Sequence, residues 1–310
     1  MNQIMAFAYG NAFQTKSCFM KADLSKIQLC FVGCGVMAEA IIAGLLRKNL
    51  VAAQQIVASH PKENRRVELQ EKYAIRTFAK NLDAVKFFEK PTVFLCVKPQ
   101  RIKLIFEDLK TAIAPDGLVV SIIAGVKIAT ISEALGSRKV IRAMPNTPAQ
   151  IGAGITAWTC SPDVDEEEKL QVRSLLTALG KELYVETENM IDMATSLSAT
   201  GPTYIFLVME ALTDAGVHLG FSREIAKELV QEMMLGSVLF AMESHKHPAE
   251  LRNMVTSPGG TSAEAIYQME KGGLRTVLSK AVYAAYKRAV ELGEKNDHLN
   301  TDKTNYRSTI

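Results

Sequence analysis

The 310-residue sequence has almost no surplus of charge: 36 lysines and arginines stand against 33 acids, a formal net of +3. So small an excess gives no electrostatic case for nucleic acid or an anionic membrane as the main partner. Long apolar runs are absent as well. None reaches the ~18–20 residues that span a bilayer, so no membrane partner is expected. The five cysteines, Cys18, Cys30, Cys34, Cys96 and Cys160, include no C-x-x-C pair and match no metal-ligand spacing. Cys30, Cys34 and Cys96 lie in or beside apolar runs, where a thiol reads as a small buried hydrophobe. A reducing cytoplasm suits such usage. His245 and His247 flank Lys246 with no third ligand in view, so no metal site is expected. The single tryptophan, Trp158, and the pair Met233-Met234 read as core. Met1–Lys26 contains no arginine and no sustained apolar stretch, unlike a transit peptide or a secretory signal. Residues 1–26 are expected to be a disordered tail, or to lie partly upstream of a true start at Met20.

What is present is a regular alternation of strand and helix. Short bounded apolar runs predict strands at Ile27–Val32, Gln55–Ser59, Ile75–Phe78, Thr92–Val97, Leu118–Ile123, Val140–Met144, Ile155–Trp158 and Glu182–Val185. Helical spacing fills Ala38–Leu50, Lys62–Lys72, Arg101–Ile113 and Glu166–Leu179. Strands that are apolar on both faces and joined by helices form an open, mostly parallel sheet with helices on either side. After Glu186 the β-rich runs stop. Ala194–Leu219, Arg223–Met242, Pro248–Val255, Ser262–Met269 and Leu274–Leu292 read as helices, separated by Gly and Pro. The fold class is therefore α/β: a Rossmann-type doubly wound sheet followed by an all-α C-terminal domain.

The first strand runs into Gly33-Cys34-Gly35-Val36-Met37-Ala38, a G-x-G-x-x-A turn that opens a helix. Glycine permits the tight turn and a close approach of backbone to a diphosphate, and the helix N-terminus favours the anion. The second strand ends in Ser59 and His60 without the acid that would bind a ribose 2′-hydroxyl, and Lys62, Arg65 and Arg66 follow. A hydroxyl with cations suits a 2′-phosphate, which favours NADPH while leaving NADH possible. Val97-Lys98-Pro99 and Ala124 end the fourth and fifth strands, where the ligand crevice of such a sheet forms. The candidate cofactor residues are thus Gly33, Cys34, Gly35, Val36, Met37, Ser59, His60, Lys62, Arg65, Asn81, Val97, Lys98, Pro99 and Ala124.

In the second half, Thr256-Ser257-Pro258-Gly259-Gly260-Thr261-Ser262 precedes a helix and offers amides, hydroxyls and glycines. It reads equally well as an anion cradle and as a capped helix start.

Together with Val-Lys-Pro at 97–99, Met-Pro-Asn-Thr-Pro at 144–148 and Leu-Ser-x-x-Gly-Pro-x-Tyr at 197–204, this loop resembles the pyrroline-5-carboxylate reductase family from Ile27 to about Leu292. The resemblance implies NAD(P)H-dependent reduction of a small cyclic imino acid to L-proline. It also implies a homodimer interlocked through the helical half and built into a larger homo-oligomer. The chain is read as a dinucleotide-binding domain at 27–187, a helical domain at 188–293 to which the resemblance gives substrate binding and dimerisation, and a polar tail at 294–310. Carried over, the substrate carboxylate sits near Gly260, Thr261 and Ser262, and the Ser262 hydroxyl approaches the ring nitrogen where the family usually has Thr. Serine keeps the donor and acceptor. Glu188 matches an acidic position near the substrate, and it also reads as a charge that complements a helix dipole. Ala199, Thr200 and Thr203 are bulkier than the family's usual residues.

No His-Asp pair or lysine stands out as an obligatory acid or base, which fits an iminium substrate better than a ketone. A β-hydroxyacid dehydrogenase would need a lysine base, for which Lys227 is the only candidate. A non-catalytic nicotinamide sensor would not need the Ser257–Ser262 cradle.

Overall fold

The computed structural model describes residues 22–297. Among these, eight strands form one sheet: β1 (Leu29–Val32), β2 (Ile56–Ser59), β3 (Arg76–Phe78), β4 (Thr92–Leu95), β5 (Val119–Ser121), β6 (Val140–Met144), β7 (Gly154–Cys160) and β8 (Gly180–Tyr184). Their spatial order is β3-β2-β1-β4-β5-β6-β7-β8. The chain therefore reverses direction across the sheet between β1 and β4, the switch point at which such sheets bind ligands. Pairing is parallel except at β6–β7. Those two strands are joined by only nine residues, with one 3₁₀ turn at Thr147–Ile151, which is too short for a parallel crossover.

Alternate residues of each strand enter two separate cores. Leu29, Phe31, Ala58, Phe94, Val120 and Ile141 pack on one face, and Phe31 stacks on Phe94 with ring centroids 4.8 Å apart. Cys30, Val32, Val57, Leu95, Val119 and Val140 pack on the other. The first face is covered by α1 (Val36–Arg47) and α6 (Glu166–Leu176). The second is covered by α3 (Asn81–Val85), α4 (Ile102–Leu109) and α5 (Ile128–Leu135). Between β2 and β3 lies α2 (Glu63–Tyr73). The short helices α3 and α5 were not foreseen from spacing. Trp158 is buried as expected, and its Nε1 donates to Glu182 Oε2 at 2.6 Å.

Residues 22–26 depart from the expected tail. Leu24 and Ile27 are buried, and Gln55 Nε2 donates to the carbonyls of Leu24 (2.9 Å) and Ile27 (2.8 Å). The remainder of that expected tail, residues 1–21, lies outside the described residues, as does Cys18.

Further helices follow the sheet: α7 (Asn189–Ala194), a π-helical turn at Thr195–Ala199, α8 (Gly201–His218), α9 (Arg223–Ser244), α10 (Pro248–Met254), α11 (Thr261–Lys271) and α12 (Leu274–Asp297). In the π turn the Thr200 amide reaches back to the Thr195 carbonyl at 2.9 Å. Helix α12 continues to Asp297, past the point at which the polar tail was expected, and residues 298–310 lie outside the described residues.

The chain forms two compact units. One comprises the sheet through Pro202 together with the chain from Val282, and the other comprises Thr203–Ala281. Residues 188–202 and 282–293, read from composition as part of the helical half, thus pack with the sheet unit. In the helical unit, only Ala226 and Val230 are buried apolar residues among those described. Phe206, Leu207, Leu229, Val238 and Phe240 are exposed, and so is Met233, contrary to its expected place in a core. These side chains lie on α8 and α9 and stay uncovered among the described residues.

Candidate active site

In the sheet unit, the registers Val32↔Ser59, Val32↔Leu95 and Leu95↔Ser121 bring the carboxyl ends of β1, β2, β4 and β5 level. The glycine turn, His60, Val97 and Ala124 consequently share one edge of the sheet. Gly33 adopts φ +84°, and a Cβ there would lie 2.4 Å from Val97 Cγ1. Glycine is required at that position on both counts. A Cβ on Gly35 would meet nothing within 4 Å.

The amides of the turn divide into two sets. Gly33 N–H donates to Ser59 Oγ (3.4 Å), Cys34 N–H to the Ser59 carbonyl (3.0 Å), and Gly35 N–H to the Gly33 carbonyl (2.9 Å). Val36, Met37 and Ala38 begin α1, and their amides have no intrahelical acceptor. The donors open to an anion are therefore those of Val36 and Met37, which directly follow the Gly33–Gly35 segment. Gly33 and Cys34 serve by shape: Cys34 is fully buried, and burial pushes its thiol up to about 12. Open space at Gly35 beside these amides fits a dinucleotide diphosphate.

The basic run after β2 differs from its sequence reading. Ser59 is fully buried, and its hydroxyl donates to Asn81 Oδ1 at 2.8 Å while accepting from Gly33. Asn81 also donates to Asp108 Oδ2 at 3.2 Å. These two residues brace the turn. Arg66 donates to the carbonyls of His60 (3.0 Å) and Pro61 (2.9 Å). Arg65 donates from Nε to the Cys34 carbonyl (3.4 Å), pairs with Glu39, and meets Glu68 Oε2 at 2.7 Å. Burial pulls the His60 imidazole below its ordinary value, so it adds no cation at neutral pH. Lys62 is exposed and has no ion pair among the described residues, and the same holds for Lys98 at the β4 tip. Lys98 precedes Pro99, which opens a 3₁₀ turn. Ala124 is half-buried against the cluster of Met144, Ala157, Val185 and Ile191.

Glu188 stands just before α7. Its Oε1 accepts the Ile128 amide at 2.8 Å and the Arg142 guanidinium at 3.0 Å. Arg142 is fully buried on β6, and its other terminal nitrogen meets Asp192 Oδ1 at 2.5 Å. Asp192 was not singled out from sequence. The available signal was its position four residues after Glu188, which places both acids on one helix face. Glu188 also borders a cavity of about 430 Å³ with Ser132, Ser161 and Glu186, and this cavity does not include the glycine turn.

In the helical unit, Gly260 caps α11 through its backbone. A Cβ there would lie 2.5 Å from Ser257 Oγ and 3.1 Å from the Ser257 carbonyl, so the loop is closely packed at Gly260. The Gly260 amide is used by the Ser257 carbonyl at 3.0 Å, which leaves Thr261 and Ser262 as the first helix amides without intrahelical acceptors. Ser262 is half-buried, and no hydrogen bond engages its hydroxyl among the described residues. The substrate candidates Gly260, Thr261 and Ser262 are therefore brought together, while Glu188 belongs to the sheet unit. Among the described residues no group of His, Cys, Asp and Glu could hold a metal ion, and no helix is long and apolar enough to cross a membrane.

A doubly wound sheet with a glycine turn and free helix amides at its switch point defines a Rossmann-type dinucleotide-binding oxidoreductase. Comparison with known proteins narrows the class. Residues 188–292 match the family described as pyrroline-5-carboxylate reductase dimerisation, and residues 28–125 match NADP oxidoreductase coenzyme F420-dependent. A pyrroline-5-carboxylate reductase from Synechocystis is 39% identical, covering 87% of this chain and 99% of the relative. One from Arabidopsis thaliana is 38% identical, covering 85% and 95%. The crystal structure of Plasmodium falciparum pyrroline carboxylate reductase with NADP bound superposes with a TM-score of 0.79 at 28% identity, covering 87% and 99%. The chain belongs to the pyrroline-5-carboxylate reductase family.

Proposed function

We propose that the protein reduces 1-pyrroline-5-carboxylate to L-proline with NADPH, accepting NADH as well, and that it works in the cytoplasm. The observation that carries this reading is the presence in one chain of two sets of open helix amides. One is at Val36–Met37 on the sheet switch point, and the other is at Thr261–Ser262 beside a hydroxyl with no partner among the described residues. The 39% identity to a reductase of this name over nearly its whole length supports the substrate.

A bound reduced nicotinamide supplies the hydride. The chain's part is to bind and orient. Val36 and Met37 hold the diphosphate, with Gly33, Cys34 and Gly35 shaping the turn. Lys62 and Arg65 face the adenosine end, with His60 beside them and Ser59 and Asn81 bracing the turn behind. Val97, Lys98, Pro99 and Ala124 flank the nicotinamide end. Gly260 and the amides of Thr261 and Ser262 take the substrate carboxylate, and the Ser262 hydroxyl hydrogen-bonds the ring nitrogen as it becomes an amine. Residues 27–187 form the cofactor domain, and 188–293 form the substrate and dimerisation domain. A homodimer, assembled further into a larger homo-oligomer, covers the apolar faces carrying Phe206, Leu229 and Phe240. The test is NADPH oxidation on addition of pyrroline-5-carboxylate. Ser262→Ala is expected to lower turnover while leaving the NADPH dissociation constant within about twofold, and unchanged turnover removes Ser262 from the site.

A further inference from the structure

Of the cations that follow β2, Arg65 is neutralised from within. Arg65 lies over the glycine turn, tied by Nε to the Cys34 carbonyl. Its two terminal nitrogens are engaged by different carboxylates, Glu39 on the first turn of α1 and Glu68 one turn along α2. The remaining Glu39 oxygen accepts from Lys72 Nζ at 2.8 Å and Tyr73 Oη at 2.7 Å. Arg65 and Glu39 are less than one-fifth exposed, so this pairing is sheltered from solvent. Summed over Arg65, Lys72, Glu39 and Glu68, the cluster carries no net charge. The carboxyl end of β2, beside the glycine turn, is where a dinucleotide sheet meets the adenine ribose. A ribose 2′-phosphate arriving there must compete with Glu39 and Glu68 for the Arg65 guanidinium, whereas a 2′-hydroxyl has no need of it.

We infer that Glu39 sets the balance between the two nicotinamide dinucleotides, holding Arg65 in an internal ion pair so that NADH stays usable and NADPH gains only part of what an unpaired arginine would give. The inference rests on the cofactor reading above. It assigns selectivity to a residue on α1, outside the strand end that carries the recognition. An arginine–phosphate pair is charge-assisted and bidentate, so release of Arg65 has a large and selective effect.

The test is direct binding, by calorimetry, of NADPH, NADH, 2′,5′-ADP and 5′-AMP to the full-length protein. In Glu39→Gln the NADPH and 2′,5′-ADP dissociation constants are expected to fall about tenfold, and those of NADH and 5′-AMP to move less than twofold. In Glu39→Gln/Arg65→Met the gain is expected to vanish, because it runs through the guanidinium. Glu68→Gln, at a position 55% exposed and tolerant of change, is expected to act in the same direction by two- to threefold, and it carries the test if Glu39→Gln folds poorly. An unchanged NADPH-to-NADH ratio in these single variants, or a gain that survives loss of Arg65, overturns the inference. Binding of neither dinucleotide by the wild-type protein would instead reject the cofactor site itself.

Discussion

Glu188 closes the first turn of α5 by accepting the amide of Ile128 at 2.8 Å, sixty residues away in the chain. The same oxygen meets Arg142, which also binds Asp192, so a buried guanidinium links β6, α7 and the loop that leaves β5. Removing one member of a buried ion pair leaves an uncompensated charge. Asp192→Ala is expected to cost about 3 kcal/mol or more of unfolding free energy. Glu188→Ala, at a half-buried position, is expected to cost about 1–3 kcal/mol. Urea denaturation of both variants checks this, and wild-type stability in either would deny the link.

Ser59 braces the glycine turn from beneath. Ser59→Ala removes both its bond to Asn81 and the acceptor for Gly33 N–H. NADPH and NADH binding are expected to weaken together by about three- to tenfold, the value of one hydrogen bond at a site shared by both. A loss confined to NADPH would show instead that the hydroxyl touches the 2′-phosphate.

The Gly125 carbonyl lies 2.7 Å from the place a Cβ on Gly293 would occupy, and Ala289 and Leu292 of α12 close on the same loop. Gly293→Ala must shift either the helix or the loop that carries Ala124. NADPH affinity is expected to fall several-fold while 2′,5′-ADP, which lacks the nicotinamide half, binds as before. Equal losses for both ligands would place the disturbance elsewhere.

Burial alone would raise the Glu39 carboxyl, but hydrogen bonds from Arg65, Lys72 and Tyr73 outweigh it and bring the group down from its ordinary 4.5 to about 2. A group depressed in the folded state contributes stability above its unfolded value, and that stability is lost as pH falls through the folded one. Between pH 4.5 and 2, wild type should lose stability that Glu39→Gln never had. The two stability curves should converge by about 1–3 kcal/mol over that window. Parallel curves would mean that Glu39 is not held ionised.

The strands were legible because each is a short apolar run, and Val140–Met144 was placed to the residue. The glycine turn was equally plain, since its G-x-G-x-x-A pattern follows a strand and opens a helix, and Gly33 takes φ +84°. The partners of Arg65 were not legible. Glu68 stands three residues on, within reach along a helix, but Glu39 meets Arg65 only after β1 and β2 pair and bring α1 against α2. A count of cations after β2 therefore overstated the positive charge offered to a phosphate. Asn81 and Ser59 meet at this end of the sheet through a hydrogen bond that spacing does not display.

The most direct measurement is stoichiometric turnover. The purified protein, given pyrroline-5-carboxylate and NADPH, is expected to oxidise one NADPH for each L-proline formed, with proline identified by chromatography and the cofactor by its absorbance. Binding of NADPH without its oxidation, or oxidation without proline, would contradict the account.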